Sequence, residues 1–144
     1  MRSPTTFVAV YLVLVNNSQI LLARRCNTGF EDGNYSLVAG HAEHGERLTL
    51  ALLREAKEEA GLTVVENSLS LVHVLHRRTL GDRVYVDFFY TCNEWLGEPT
   101  ICEPHLCDDL RWFALADLPN NMVGYVRQAL NDIEQRVFHR EIGF

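Results

Sequence analysis

Lysine is nearly missing from this chain: of its 13 basic residues only Lys57 is a lysine, and the others are arginines. Basic charge is itself in deficit, because 19 acidic residues leave a formal net charge of −6. That balance argues against a protein held to nucleic acid by phosphate contacts, so no stable nucleic-acid binding is expected. Long hydrophobic runs are lacking as well. The apolar stretch from Phe7 to Val15 falls well short of the ~20 residues of a membrane span, and no membrane association is expected. It leads into Asn16-Asn17-Ser18 and a second apolar segment, with no small-residue cleavage pattern. This argues against an export signal and for a cytoplasmic protein. The four cysteines, Cys26, Cys92, Cys102 and Cys107, are too few for a disulfide framework and are read as thiols. Repeats, low-complexity tracts and Pro/Gly/Ser-rich linkers are also wanting. A chain of 144 residues with ordinary globular composition is therefore expected to fold as one domain, residues 1–144.

What is present is a series of alternating apolar segments. Phe7 to Val15, the turn Asn16-Asn17-Ser18 and Gln19 to Ala23 read as a β-hairpin with a largely buried first strand. Asn27 to Asn34, with Gly29, Asp32 and Gly33, reads as a loop. A short strand, Tyr35 to Ala39, runs into the turn Gly40 to Gly45. Over Arg47 to Ala60 the residues Thr49, Leu52, Leu53, Ala56 and Ala60 form one apolar stripe of a helix, with Gly61 placed to stop it. Leu69 to His76 and Val84 to Cys92 read as strands around Gly81-Asp82, and Asp109 to Phe113 as a further short one. Asn120 to Phe138 is expected to be a second helix, capped by Asn120 or Asn121. The order of strands, helix, strands, helix fits an α/β protein with a mixed sheet between helices.

On the first helix Glu55, Glu58 and Glu59 stand at i, i+3 and i+4 and share one narrow face, away from the apolar stripe. Like charges at this spacing cost an isolated helix a few tenths of a kcal/mol per pair. Three acids on a helix seen alone make an ordinary solvated face. Clustered carboxylate oxygens also suit a hard cation such as Mg²⁺ or Mn²⁺. Arg54 lies one turn before Glu58 and can pair with Glu46 or Glu58, fixing the carboxylates in one geometry. Gly40 and Gly45 allow a tight turn in which backbone groups face a ligand.

The surrounding pattern favours a site. From Gly40 the chain reads GHAEHGERLTLALLREAKEEAGL, with Gly40, Glu46, Arg54-Glu55, Glu58-Glu59 and Gly61 at fixed intervals. This stretch resembles the signature of the Nudix hydrolase family, and every fixed position of that pattern is filled. The resemblance implies a Nudix-type α/β/α sandwich with a mixed β-sheet in a single domain. It also implies MutT-like chemistry, the metal-dependent hydrolysis of the pyrophosphate linkage of a nucleoside triphosphate or a related nucleoside diphosphate derivative. The implied cofactor is Mg²⁺, with Mn²⁺ as a substitute. Carried over residue by residue, Glu55 and Glu59 become metal ligands, Glu58 a ligand or general base, Glu46 an outer partner alongside Arg54, and the carbonyl of Ala39 or Gly40 a further ligand. The expected partner is a small-molecule nucleotide, and the chain is a monomer or homodimer.

Metal ions and a few arginines would offset the acidic field around such an anion, with Arg24 or Arg25 on the second strand as candidates. Tyr35 stands where many members have Trp and is a candidate substrate contact. Val38-Ala39 replaces a frequent Pro-Gly. A further acid outside the motif often serves as base or ligand, and Glu103, Asp108 and Asp109 lie in the right region. The proline of ADP-ribose members is replaced by Arg78, and the tyrosine of dinucleoside polyphosphate members is missing at Thr79 and Leu80. ADP-ribose, nucleotide-sugar and dinucleoside polyphosphate hydrolysis are therefore alternatives. A non-catalytic nucleotide-binding module on the same fold is another. The group Cys102, His105 and Cys107 lacks the further ligand a structural zinc site needs. Tyr85, Phe88, Phe89, Tyr90 and Trp112 are expected chiefly as core, with base stacking the alternative.

Overall fold

Strand β1 (Thr6–Val13) decides the architecture, because its side chains alternate between two separate cores. In the computed structural model, which describes residues 5–144, Ala9, Tyr11 and Val13 face one cluster with Phe89, Val126 and Ala129. Val10 and Leu12 face the other, with Ala51, Leu52, Ala56 and Ala60. The second cluster is covered by helix α1 (Leu48–Ala60) and the first by helix α2 (Gly124–Glu134). The protein is thus an α/β/α sandwich in a single domain.

The central sheet holds five strands in the order β11 (His139–Ile142), β7 (Leu69–Arg78), β8 (Val84–Cys92), β1 and β5 (Val38–His41). It is mixed: β1 runs parallel to β8 and β11 parallel to β7, while β1 with β5 and β7 with β8 are antiparallel. A second sheet is built on β3 (Gln19–Arg25), flanked by β10 (Cys107–Ala114), β2 (Val15–Asn16) and β4 (Tyr35–Ser36). A small pair joins β6 (Thr63–Val64) and β9 (Trp95–Leu96).

Three expectations are corrected. The first hairpin is much smaller than its sequence suggests, because β1 gives both its edges to the central sheet. Only Val15–Asn16 folds back on β3, through Asn17 and Ser18 at positive φ. The strand expected over Tyr35 to Ala39 divides at Leu37, with β4 on β3 and β5 on β1. The second helix is shorter than Asn120 to Phe138, and neither asparagine caps it. Val123 holds the N-cap position, while the Asn121 carbonyl accepts the Tyr35 N–H at 2.8 Å and its side chain donates to the Gly33 carbonyl. Past the helix, Arg136 adopts a positive φ and the chain turns into β11, which extends the central sheet along β7.

Candidate active site

Helix α1 starts after Arg47 and ends at Gly61, whose φ of 69° is the left-handed conformation glycine adopts at little cost. Its buried face seats it on β5 and β1. That packing turns Glu55 and Glu59, one turn apart, toward the backbone of Ala39 and Gly40. A carboxylate oxygen of Glu59 accepts the Ala39 N–H at 3.0 Å. A Cβ built on Gly40 would lie 2.1 Å from Cδ of Glu55, so only glycine admits the Glu55 carboxylate against the strand.

Arg54 organises the acids. Its Nε and Nη2 grip both oxygens of Glu46, at 2.9 and 3.0 Å, and Nη1 donates to Glu55 at 2.7 Å and to Glu58 at 3.3 Å. Nη2 also donates to the carbonyl of His41 at 3.1 Å. Of the two partners open to it in sequence, Arg54 takes Glu46 as the two-pronged one and Glu58 as the looser one. This guanidinium holds the Glu46 carboxyl down to about 2. The opposite happens at the neighbouring acids. Burial, reinforced by the charges of Glu55 and Glu103, pushes Glu59 up to about 8, and burial also raises Glu55. Carboxylates are crowded here with too little positive charge between them.

That crowding is the test of whether the residues fit a cation. Glu55, Glu59, the exposed Glu58 and the Ala39–Gly40 backbone are hard oxygen donors of the kind Mg²⁺ and Mn²⁺ prefer. A divalent charge would relieve the repulsion that raises Glu59. Among the described residues no three metal-ligating side chains already converge on one point. Arg54 and the Ala39 amide hold the two inner carboxylates in their present positions.

The structure also distributes the acids outside the motif. Asp108 is engaged by Arg24 at 2.7 Å. Asp109 accepts from the Tyr35 hydroxyl and from Arg111. Glu103 forms no ion pair among the described residues. It stands close enough to raise Glu55 and Glu59, and shares with Glu59, Arg24 and Arg25 a cavity of about 380 Å³. Tyr35 is buried, with its ring edge-on to Phe113 and its hydroxyl on Asp109, so it presents no open ring face to this cavity. Arg25 reaches from that cavity into another, where Arg77 lies between the rings of Tyr85 and Tyr125, 4.1 and 3.8 Å from their centroids. Arg77 also pairs with the fully buried Asp87 at 2.5 Å. Sequence reasoning missed this pair. A signal was available, since His73, Leu75 and Arg77 alternate on the buried side of β7, and a charged residue in a strand's inward register needs a partner.

The profile of the NUDIX domain family matches residues 5–133. The MutT NUDIX hydrolase of Burkholderia pseudomallei superposes with a TM-score of 0.82 at 29% identity, over 89% of this chain and 98% of that one. The MutT protein of Methanosarcina mazei Go1 superposes at 0.79 over 94% and 97%, and at 18% identity its likeness concerns the fold alone. The NAD-capped RNA hydrolase NudC of Pseudomonas putida strain W619 is 30% identical over 119 residues, which are 81% of this chain and 39% of that protein. The chain thus spans about two fifths of the length of the curated relatives it matches.

Proposed function

The chain belongs to the NUDIX domain family, and on that premise we propose that it hydrolyses the pyrophosphate linkage of a nucleoside triphosphate or a related nucleoside diphosphate derivative, using a divalent metal ion. The observation that carries this reading is the crowded pair Glu55 and Glu59 beside the Ala39–Gly40 backbone, backed by the Arg54–Glu46 clamp. When bound, a divalent ion supplies charge neutralisation on the diphosphate and lowers the pKa of a water.

The chain's own residues do the rest. Glu55 and Glu59 would hold the cation, with a backbone carbonyl of Ala39 or Gly40 beside them. Arg54 keeps Glu55 and Glu58 in place by spending two of its hydrogen bonds on Glu46. Glu58, loosely held by Arg54, and Glu103, which forms no ion pair among the described residues, are the candidates to accept a proton from the attacking water. Arg24 and Arg25 on β3 line the cavity that leads to Glu59 and offset the negative charge of an incoming phosphate.

The test is a panel of nucleoside triphosphates, ADP-ribose, nucleotide sugars, dinucleoside polyphosphates and NAD-capped RNA, the substrate named for the Pseudomonas relatives. Each is incubated with Mg²⁺ or with chelator, and the products are resolved. Hydrolysis that requires the metal and disappears in Glu59→Gln supports the reading. Nucleotide binding without any turnover would instead support a binding module.

A further inference from the structure

The cavity beyond β5 is lined by three arginines on an otherwise acidic protein. It measures about 610 Å³ and reaches Ala39 and Gly40, the backbone against which Glu55 and Glu59 rest. Arg25, Arg77 and Arg83 line it, and no aspartate or glutamate does. Arg77 is spoken for by Asp87, and it forms a fixed floor between Tyr85 and Tyr125. Among the described residues the Arg25 guanidinium donates to Thr28 and the Phe30 carbonyl. Among the described residues neither Arg25 nor Arg83 has a carboxylate partner. Two guanidiniums that form no ion pair, in a concave site beside aromatic rings, match an anion with several acceptor oxygens.

We propose that this cavity holds a terminal phosphoryl group of the substrate that lies outside the hydrolysed anhydride, gripped by Arg83 and Arg25. The proposal rests on the pyrophosphohydrolase reading and narrows its substrate class to nucleotides that carry such an extra phosphate. A phosphate on a ribose hydroxyl and the terminal phosphate of a longer polyphosphate have the same chemistry. Both place a dianion at a distance from the bond that breaks.

Matched compounds distinguish the two sources. NAD against NADP, and dephospho-coenzyme A against coenzyme A, differ by a ribose phosphate; a nucleoside diphosphate against its triphosphate differs by a terminal one. kcat/KM is measured for each with Mg²⁺. Binding is measured calorimetrically in metal-free buffer, with AMP against an adenosine bisphosphate and ADP against ATP. The phosphorylated member should be favoured by about 10-fold or more in at least one series, the size expected of charge-assisted hydrogen bonds. That ratio should fall toward one in Arg83→Gln, a change at an exposed loop position that leaves the packed core untouched. The series that shows the preference names the source. Equal rates and affinities in every series would overturn the proposal, as would a preference that survives in both Arg83→Gln and Arg25→Gln. If nothing is hydrolysed yet the binding preference persists and depends on Arg83, the cavity assignment stands and the hydrolase reading fails.

Discussion

At Gly40 one missing methyl group makes room for the Glu55 carboxylate of the proposed metal site. Its φ is not left-handed, so backbone strain is not what keeps a glycine there. The requirement is space, since a Cβ would fall 2.1 Å from Cδ of Glu55. The clash is with the end of a flexible side chain, which can swing away at small cost to folding, but only by leaving the strand. Gly40→Ala is therefore expected to keep a Tm close to that of the native protein while lowering Mn²⁺ affinity and metal-dependent turnover by about 10- to 100-fold, the usual effect of disturbing a metal ligand's support. Calorimetric Mn²⁺ titration beside thermal unfolding checks this. Unchanged metal affinity would show that Glu55 does not bind metal from its position on the strand. Tyr35 is the opposite case. Its place in the motif's neighbourhood suggests a ligand contact, whereas its burial and its bond to Asp109 make it a brace between β4 and β10.

Among the elements, α1 was legible in nearly every respect, because a regular apolar stripe, a terminal glycine and a dense acidic face all lie within one contiguous segment. The strand pairings were not. Nothing local in Phe7 to Val15 says that its partners are β5 and β8 and not the segment that follows it, since pairing is fixed by burial on both faces and by long-range register. The C-terminal end was misread for a related reason. Val137 continues the apolar pattern of α2, but Arg136 breaks the helix, and the following residues have a sheet edge to join. Asp132 on α2 ties that edge strand down. It is buried, and Arg140 on β11 donates to both its oxygens at 2.5 and 2.9 Å. The guanidinium holds the Asp132 carboxyl below its ordinary range. A carboxylate whose folded pKa is depressed contributes stability that is fully present above its unfolded pKa and is lost as pH falls through the folded one. Arg140→Gln should thus lower the Tm by a few degrees near pH 7. The difference between variant and native protein should shrink as pH drops below about 4, where Asp132 protonates in the unfolded chain. A Tm difference that stays constant from pH 7 down to pH 2 would mean that the pair is not the source of the effect.

For the molecule as a whole, which carries a net charge of −6, Glu46, Glu55 and Glu58 gather around Arg54, whereas Arg25, Arg77 and Arg83 line one cavity that reaches β5. The sequence made the acidic half readable through its fixed spacing. The basic half is drawn from β3, β7 and the loop after it, segments far apart along the chain, and only folding brings Arg25, Arg77 and Arg83 to one cavity. On the proposed reading, a cation that relieved the repulsion among Glu55, Glu59 and Glu103 would also stabilise the fold. At a Mg²⁺ concentration 100 times its Kd, binding to the native state alone adds about 2.7 kcal/mol. The Tm should rise accordingly, and Mg²⁺ should shift Glu59→Gln much less. The most direct test of the central claim joins this to turnover: Mg²⁺-dependent pyrophosphate hydrolysis measured in the native protein and in Glu59→Gln, each verified as folded by circular dichroism. The expected result is a folded variant with no metal-dependent hydrolysis. A folded Glu59→Gln that turns over at the native rate with Mg²⁺ would contradict it.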